Sequence, residues 1–137
     1  MYILFFYIYD MANSNYNFID FYIGYPGHPN FNDAELIEDD VVKVIVQKYE
    51  VIIFTNKGEV LGEPNLGANL LELLHETSLS GDSIKGELMA QIADYIPEID
   101  QIGYELTVEF FNDPNNYQEY MVIMFTISGY DVYTTIT

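Results

Sequence analysis

Glu105 and Glu109 stand four positions apart in a stretch where polar and apolar residues alternate. Two carboxylates are the working pair of a glycoside hydrolase, held about 5–9.5 Å apart across the scissile bond. Four residues of extended chain, at about 3.3 Å each, separate these two backbones by about 13 Å, too far for that chemistry. Glu35, Glu38, Asp39 and Asp40 form the densest acidic patch. Such a run either solvates a helix N-terminus, where negative charge is favoured, or faces a cationic partner. Glu72-Leu73-Leu74-His75 has the Glu-x-x-His spacing of carboxylate-bridged metal sites. Those sites need two such motifs and further glutamates on separate helices. The sequence has one copy, and its other histidine, His28, lies in a Pro/Gly-rich stretch. No Gly-x-Ser-x-Gly turn occurs, and the glycines at 58–67 lack the Gly-Lys-Ser/Thr of a phosphate loop. Asp113-Pro114-Asn115 lacks the glycine and terminal glutamate of a calcium loop. The sequence therefore carries no expectation of a catalytic residue, a metal or a cofactor.

The elements that would position these residues can be read from periodicity. The segment 33–55 is ambiguous: its valines and isoleucines favour strand, whereas its length favours helix. Val41, Ile45, Lys48 and Ile52 fall near one helical face, with Val44 and Val51 close by. Asn56-Lys57-Gly58 is a turn and 62–67 a loop. Asn69 is placed to cap a short helix over 70–76, with Glu72 as its reciprocal partner. Gly81 is expected to open the next connection. Ile84, Leu88, Ile92, Tyr95 and Ile96 recur at helical spacing, the clearest amphipathic signal in the chain. Pro97 should end that helix, because the residue before proline avoids the helical region. Tyr104, Leu106, Val108 and Phe110 alternate along one strand, and Met121, Ile123, Phe125 and Ile127 along a second. The second strand's other face holds Tyr120, Val122, Met124 and Thr126, too apolar for open water. Gly129 breaks it, and 130–136 could resume it. Upstream, 17–23 suits a short strand. The nine-residue apolar run 1–9 reads as a strand or arm held by this chain or by a partner. It lacks the cationic start and cleavage site of a secretory signal.

Composition limits the partners. The 137 residues carry a formal charge of −18, with 22 acidic residues against four lysines and no arginine. Nucleic acid is not an expected partner, because that affinity comes from Lys and Arg. Anionic membrane surfaces are disfavoured for the same reason. Half the residues are hydrophobic, which separates the chain from disordered acidic tails. Cysteine is absent, so neither a disulfide framework nor a thiol nucleophile arises. Copies of so acidic a chain should repel one another and stay monomeric without partners.

Residues 51–74, VIIFTNKGEVLGEPNLGANLLELL, resemble the baseplate wedge family of contractile phage tails, which includes platform proteins of type VI secretion systems. The matching positions are Ile52, Ile53, Thr55, Gly58, Pro64, Leu66, Gly67, Leu70 and Leu73 or Leu74. A helix, a proline-centred segment at 95–100 and a β-hairpin follow in the family's order, over about 33–130. The family's Glu-Pro-Arg is here Ile96-Pro97-Glu98, so only Pro97 carries over. Leu66 stands where the family commonly has an aromatic.

The resemblance implies helix over 38–54 and a small α+β domain. Two or three helices would pack on a C-terminal antiparallel hairpin or sheet. The expected division is an N-terminal arm and short strand at 1–32, then the domain at 33–137. It also implies a non-enzymatic structural protein of the virion, assembled in the bacterial host cytoplasm. Such a wedge subunit sits at the tube–baseplate junction and starts sheath assembly. Its partners would be the sheath protein, other wedge proteins and the tail tube, with six copies around the tube. The expected mechanism is strand addition, a sheath extension pairing with the hairpin of 104–111 and 120–128. Pro97, Tyr120, Val122, Met124 and Thr126 are then candidate contacts, as are Glu35, Glu38, Asp39 and Asp40. Thr55, Gly58, Pro64, Gly67, Leu70 and Leu73 form the structural motif. The alternatives are a muramidase-type cell-wall hydrolase of the tail, or a generic acidic interaction module.

Overall fold

The computed structural model describes residues 20–24, 26–28, 31–34, 36–38, 40–76, 80–116 and 118–137. The apolar run 1–9, Glu35 and Asp39 lie outside them, as does the side chain of Glu38. Two short strands, β1 (Asp20–Phe21) and β2 (Ile37–Glu38), pair antiparallel ahead of helix α1 (Val41–Phe54). Helices α2 (Leu70–His75) and α3 (Gly81–Tyr95) follow, then a 3-10 turn at Pro97–Gln101. The chain ends in β3 (Glu105–Asp113), β4 (Gln118–Ile127) and β5 (Tyr130–Ile136), an antiparallel sheet in the order β3-β4-β5. This is an α+β fold.

Helix α1 forms despite its valines because one face is buried and its N-terminus is capped. Val44, Ile45, Tyr49, Ile52 and Ile53 are buried at helical spacing. The Asp40 carboxylate accepts from the backbone N–H of Val42 (2.9 Å) and Lys43 (3.4 Å), satisfying donors the helix leaves open. The helix therefore starts at Val41 and not at 38. Residues 37 and 38 are held extended by pairing with Phe21 and Asp20. The β1–β2 segment is clipped to α1 by Gln47, whose Oε1 accepts from Ile23 N at 2.8 Å, and by His28 Nε2 and Glu50 Oε1 at 3.1 Å.

In α3, Ile84, Leu88 and Ile92 are fully buried, with Ile96 at the C-cap, and the helix stops before Pro97 as the spacing requires. Gly81 is the first residue of this helix and not part of the connection; the Ser80 hydroxyl caps it by accepting from Ser83 N. A side chain at Gly81 would place its Cβ 3.0 Å from the Val108 carbonyl oxygen, so glycine lets α3 start against β3. Asn69 precedes α2 without forming the expected box. It adopts a left-handed conformation (φ 51°), and its Oδ1 accepts from Lys57 N at 2.6 Å. Glu72 meets the Asn69 side chain at 3.4 Å instead of its backbone.

The strand after Gly129 does not resume β4 but doubles back beside it. Ser128 and Gly129 both have positive φ (49° and 79°), the two-residue turn whose twist matches a tight hairpin. The expected hairpin is thus a three-stranded meander. Its inner face supplies Leu106, Met121, Ile123, Phe125 and Ile127 to a core shared with all three helices. Tyr49 of α1 stacks on Phe125 with ring centroids 4.2 Å apart and planes 10° apart.

Candidate interaction surface

The motif residues at 55–73 build one compact loop. Thr55 and Gly67 are buried, and the Thr55 carbonyl accepts from Ala68 N at 3.1 Å, as does Ile52 O at 3.2 Å. Gly58 turns the chain at φ 89° and its N–H donates to Pro64 O at 2.9 Å. Glu59 accepts from the backbone N–H (2.8 Å) and side chain (2.9 Å) of Asn56, and these bonds hold its carboxyl below the usual range. Leu70 is buried and Leu73 half-buried beneath the loop. Gln91, on α3, locks the loop from below: its Oε1 accepts from Gly67 N (2.9 Å) and its Nε2 donates to Asn65 O (3.0 Å). The helical spacing alone did not single it out; a polar residue set among apolar ones on that face is the signal that could have. These residues shape the scaffold.

Pro97 is exposed. The residue after it, Glu98, is turned inward and paired with Lys48 of α1, its side chain 10% exposed against 35% for the lysine. Ile96 is fully buried. The Glu98 charge beside Pro97 is therefore internal. The pair should also respond unequally to substitution. Lys48→Met leaves a carboxylate stranded at low exposure, whereas Glu98→Gln leaves an ammonium that reaches water. Denaturant titration should show a loss of about 2–3 kcal/mol for the first, below the figure for a fully buried pair, and about 1 kcal/mol for the second.

Asp40 is occupied as the α1 cap, a local structural role. Glu72 and His75 share α2 but not a ligand set, and no group of three His, Cys, Asp or Glu that could hold a metal occurs among the described residues. No helix among them is long and apolar enough to cross a membrane.

Tyr120, Val122, Met124 and Thr126 do share one face, the side of the sheet turned away from the helices. They are half-buried, while Met121, Ile123, Phe125 and Ile127 alternate with them into the core. Register brings Glu105, Thr107, Glu109 and Phe111 beside them from β3, and Asp131, Tyr133 and Thr135 from β5. Phe111 is 50% exposed and Tyr133 65%. Both were absent from the sequence-based candidates, since only the pairing register shows that they flank Met124 and Tyr120. Glu105 and Glu109 lie on the same face, both exposed.

The topology limits which strands of the sheet could accept an added strand. β4 is the central strand, hydrogen-bonded to β3 on one side and β5 on the other, so it has no open edge. Among the described residues, the outer edges of β3 and β5 have no strand partner. The hairpin turn identifies the open groups. Ile127 and Tyr130 flank a two-residue turn and so form a hydrogen-bonded pair. By alternation, Tyr130, Val132, Thr134 and Ile136 bond toward β4. Asp131, Tyr133 and Thr135 aim their N–H and C=O groups outward.

The sequence matches no family model and no curated protein.

Proposed function

We propose that this chain is a structural subunit of a contractile-tail baseplate, a wedge protein that starts sheath assembly by accepting a strand from a sheath subunit along β5. The ordered motif of 52–74 supports the family. The observation that carries the mechanism is the β5 edge. Tyr130–Ile136 is rich in β-branched and aromatic residues, has one charge, Asp131, and contains neither lysine nor proline. Natural proteins blunt edges they do not use with such residues. The β3 edge is blunted by Glu105, Glu109 and Asp113. An added strand would hydrogen-bond to Asp131, Tyr133 and Thr135, and alternate side chains would set its register. A ring of six around the tube is the arrangement the resemblance implies.

The test is to mix the purified chain with the sheath protein of the same tail. Binding should bring hydrogen-exchange protection to 130–136. Thr135→Pro should abolish it while leaving the fold intact, because that N–H points away from β4 and proline is tolerated on such an edge. A chain that stays monomeric beside its sheath protein, with no added protection in β5, would overturn the proposal.

A further inference from the structure

We infer that the outer face of the β3-β4-β5 sheet docks an amphipathic helix of a partner protein, one whose apolar stripe is flanked by lysine or arginine. This inference concerns the face and not the edge, and it does not rest on strand addition.

A sheet is stable when its apolar faces are covered, and a helix laid on the face is the usual second layer. The inner face of this sheet is covered by the chain's own helices, through the shared core. The outer face carries Tyr120, Val122 and Met124 along its centre, with Phe111 and Tyr133 exposed beside them. Three strands at about 4.8 Å spacing make a face roughly as wide as one helix, about 10–12 Å. The run from Thr126 to Gln118 is about 26 Å long, the length of about 18 helical residues.

Charge selects the occupant. Carboxylates border the apolar stripe at Glu105, Glu109, Asp113 and Asp131 by register, and none of the chain's four lysines lies in these strands. A second copy is a poor match. It would bring −18 of like charge, and two of its four lysines are already paired with Glu98 and Glu87. Residues 1–9 are apolar and carry no cationic side chain, so they fit the stripe but not its border. A cationic amphipathic helix fits both, with attraction steering its approach and burial holding it.

The probe is a synthetic 18-residue Leu/Lys peptide designed as an amphipathic helix. Three controls accompany it: Glu in place of Lys, a scramble of the same composition, and polylysine. Binding to the full chain is read by fluorescence anisotropy, and its footprint by hydrogen exchange and amide NMR shifts. The Leu/Lys helix should bind with its footprint on the outer face, and at least about tenfold tighter than each control. Glu105→Lys with Glu109→Lys should weaken it about tenfold, and so should Tyr133→Ser, since both change exposed side chains. Strand addition is read separately, as protection of the 130–136 backbone N–H groups by the sheath protein, so either proposal can fail without the other. Equal binding of polylysine or the scramble, or indifference to the face variants, would overturn the inference. So would binding that appears only after 1–9 are removed, which would assign the face to the chain's own N-terminus. Self-association that Tyr133→Ser abolishes would assign it to a second copy.

Discussion

Gly67→Ala is expected to cost about 3–5 kcal/mol and to lower the melting temperature by about 10 °C or more. Two independent penalties meet at this residue. Its φ of 121° is a backbone region that residues with a Cβ adopt only at about 1–3 kcal/mol. The added Cβ would also lie 2.4 Å from the carbonyl oxygen of Thr55 and 2.9 Å from the Asn56 carbonyl carbon. These are backbone atoms at the end of α1 and cannot swing aside as a side chain could. Relieving the clash means moving the loop, which adds an overpacking cost of about 1–3 kcal/mol. It would also disturb the bonds to Gln91 and from Ala68 to Ile52 and Thr55. Thermal unfolding followed by circular dichroism checks the prediction. Gly58→Ala is the control. It shares a positive φ of 89° but has open space around the added carbon, so it should cost only about 1–2 kcal/mol. Equal losses at the two positions would show that backbone conformation alone accounts for the effect.

Tyr49→Ala should be of similar size, about 3–5 kcal/mol, while Tyr49→Phe should be close to neutral or stabilising by up to about 1 kcal/mol. The ring is fully buried and stacked on Phe125, so truncation opens a cavity between α1 and the sheet. The hydroxyl is a different matter. It is buried and has no hydrogen-bond partner of good geometry among the described residues; the Thr134 side chain pulls its ionisation back down, by less than burial raises it. Burial first, and the charge of Glu50 to a lesser degree, raise this phenol well above its ordinary value of 10.0. The neutral form is therefore favoured by folding. That contribution is fully present below the unfolded-state value and fades as pH rises through and beyond it. Wild type should lose stability above about pH 10 more steeply than Tyr49→Phe, which has nothing to ionise there. Urea titrations at pH 7 and pH 11 on both proteins check the sign. A wild type and Tyr49→Phe that weaken in parallel would place the alkaline transition on other tyrosines, such as Tyr95 and Tyr104, whose ionisation burial also raises.

Much of this protein is legible without coordinates. The Ile84–Leu88–Ile92–Ile96 spacing defines α3, and Pro97 its end, because both are local consequences of the helical repeat and of proline's missing N–H. Alternation along 104–110 and 120–127 defines two strands and their core faces for the same local reason. The ordering of Thr55, Gly58, Pro64 and Gly67 likewise marks a loop. Its glycines are explained by backbone angles and by the close approach of another carbonyl. Tertiary structure decided what depends on partners distant in sequence. Valine-rich 41–54 is helix because the sheet and α3 bury one of its faces, which outweighs β-branched propensity. Asp40 caps that helix because the preceding residues are held extended by β1. Glu98 is an internal charge because Lys48, fifty positions away, reaches it. Above all, the two positive-φ residues Ser128 and Gly129 return the chain as β5. That return closes the edge of β4, opens a new one at Asp131, Tyr133 and Thr135, and sets Tyr133 beside Met124. Which edge and which face remain for a partner is a property of strand order, and strand order is decided by long-range pairing that no local pattern encodes.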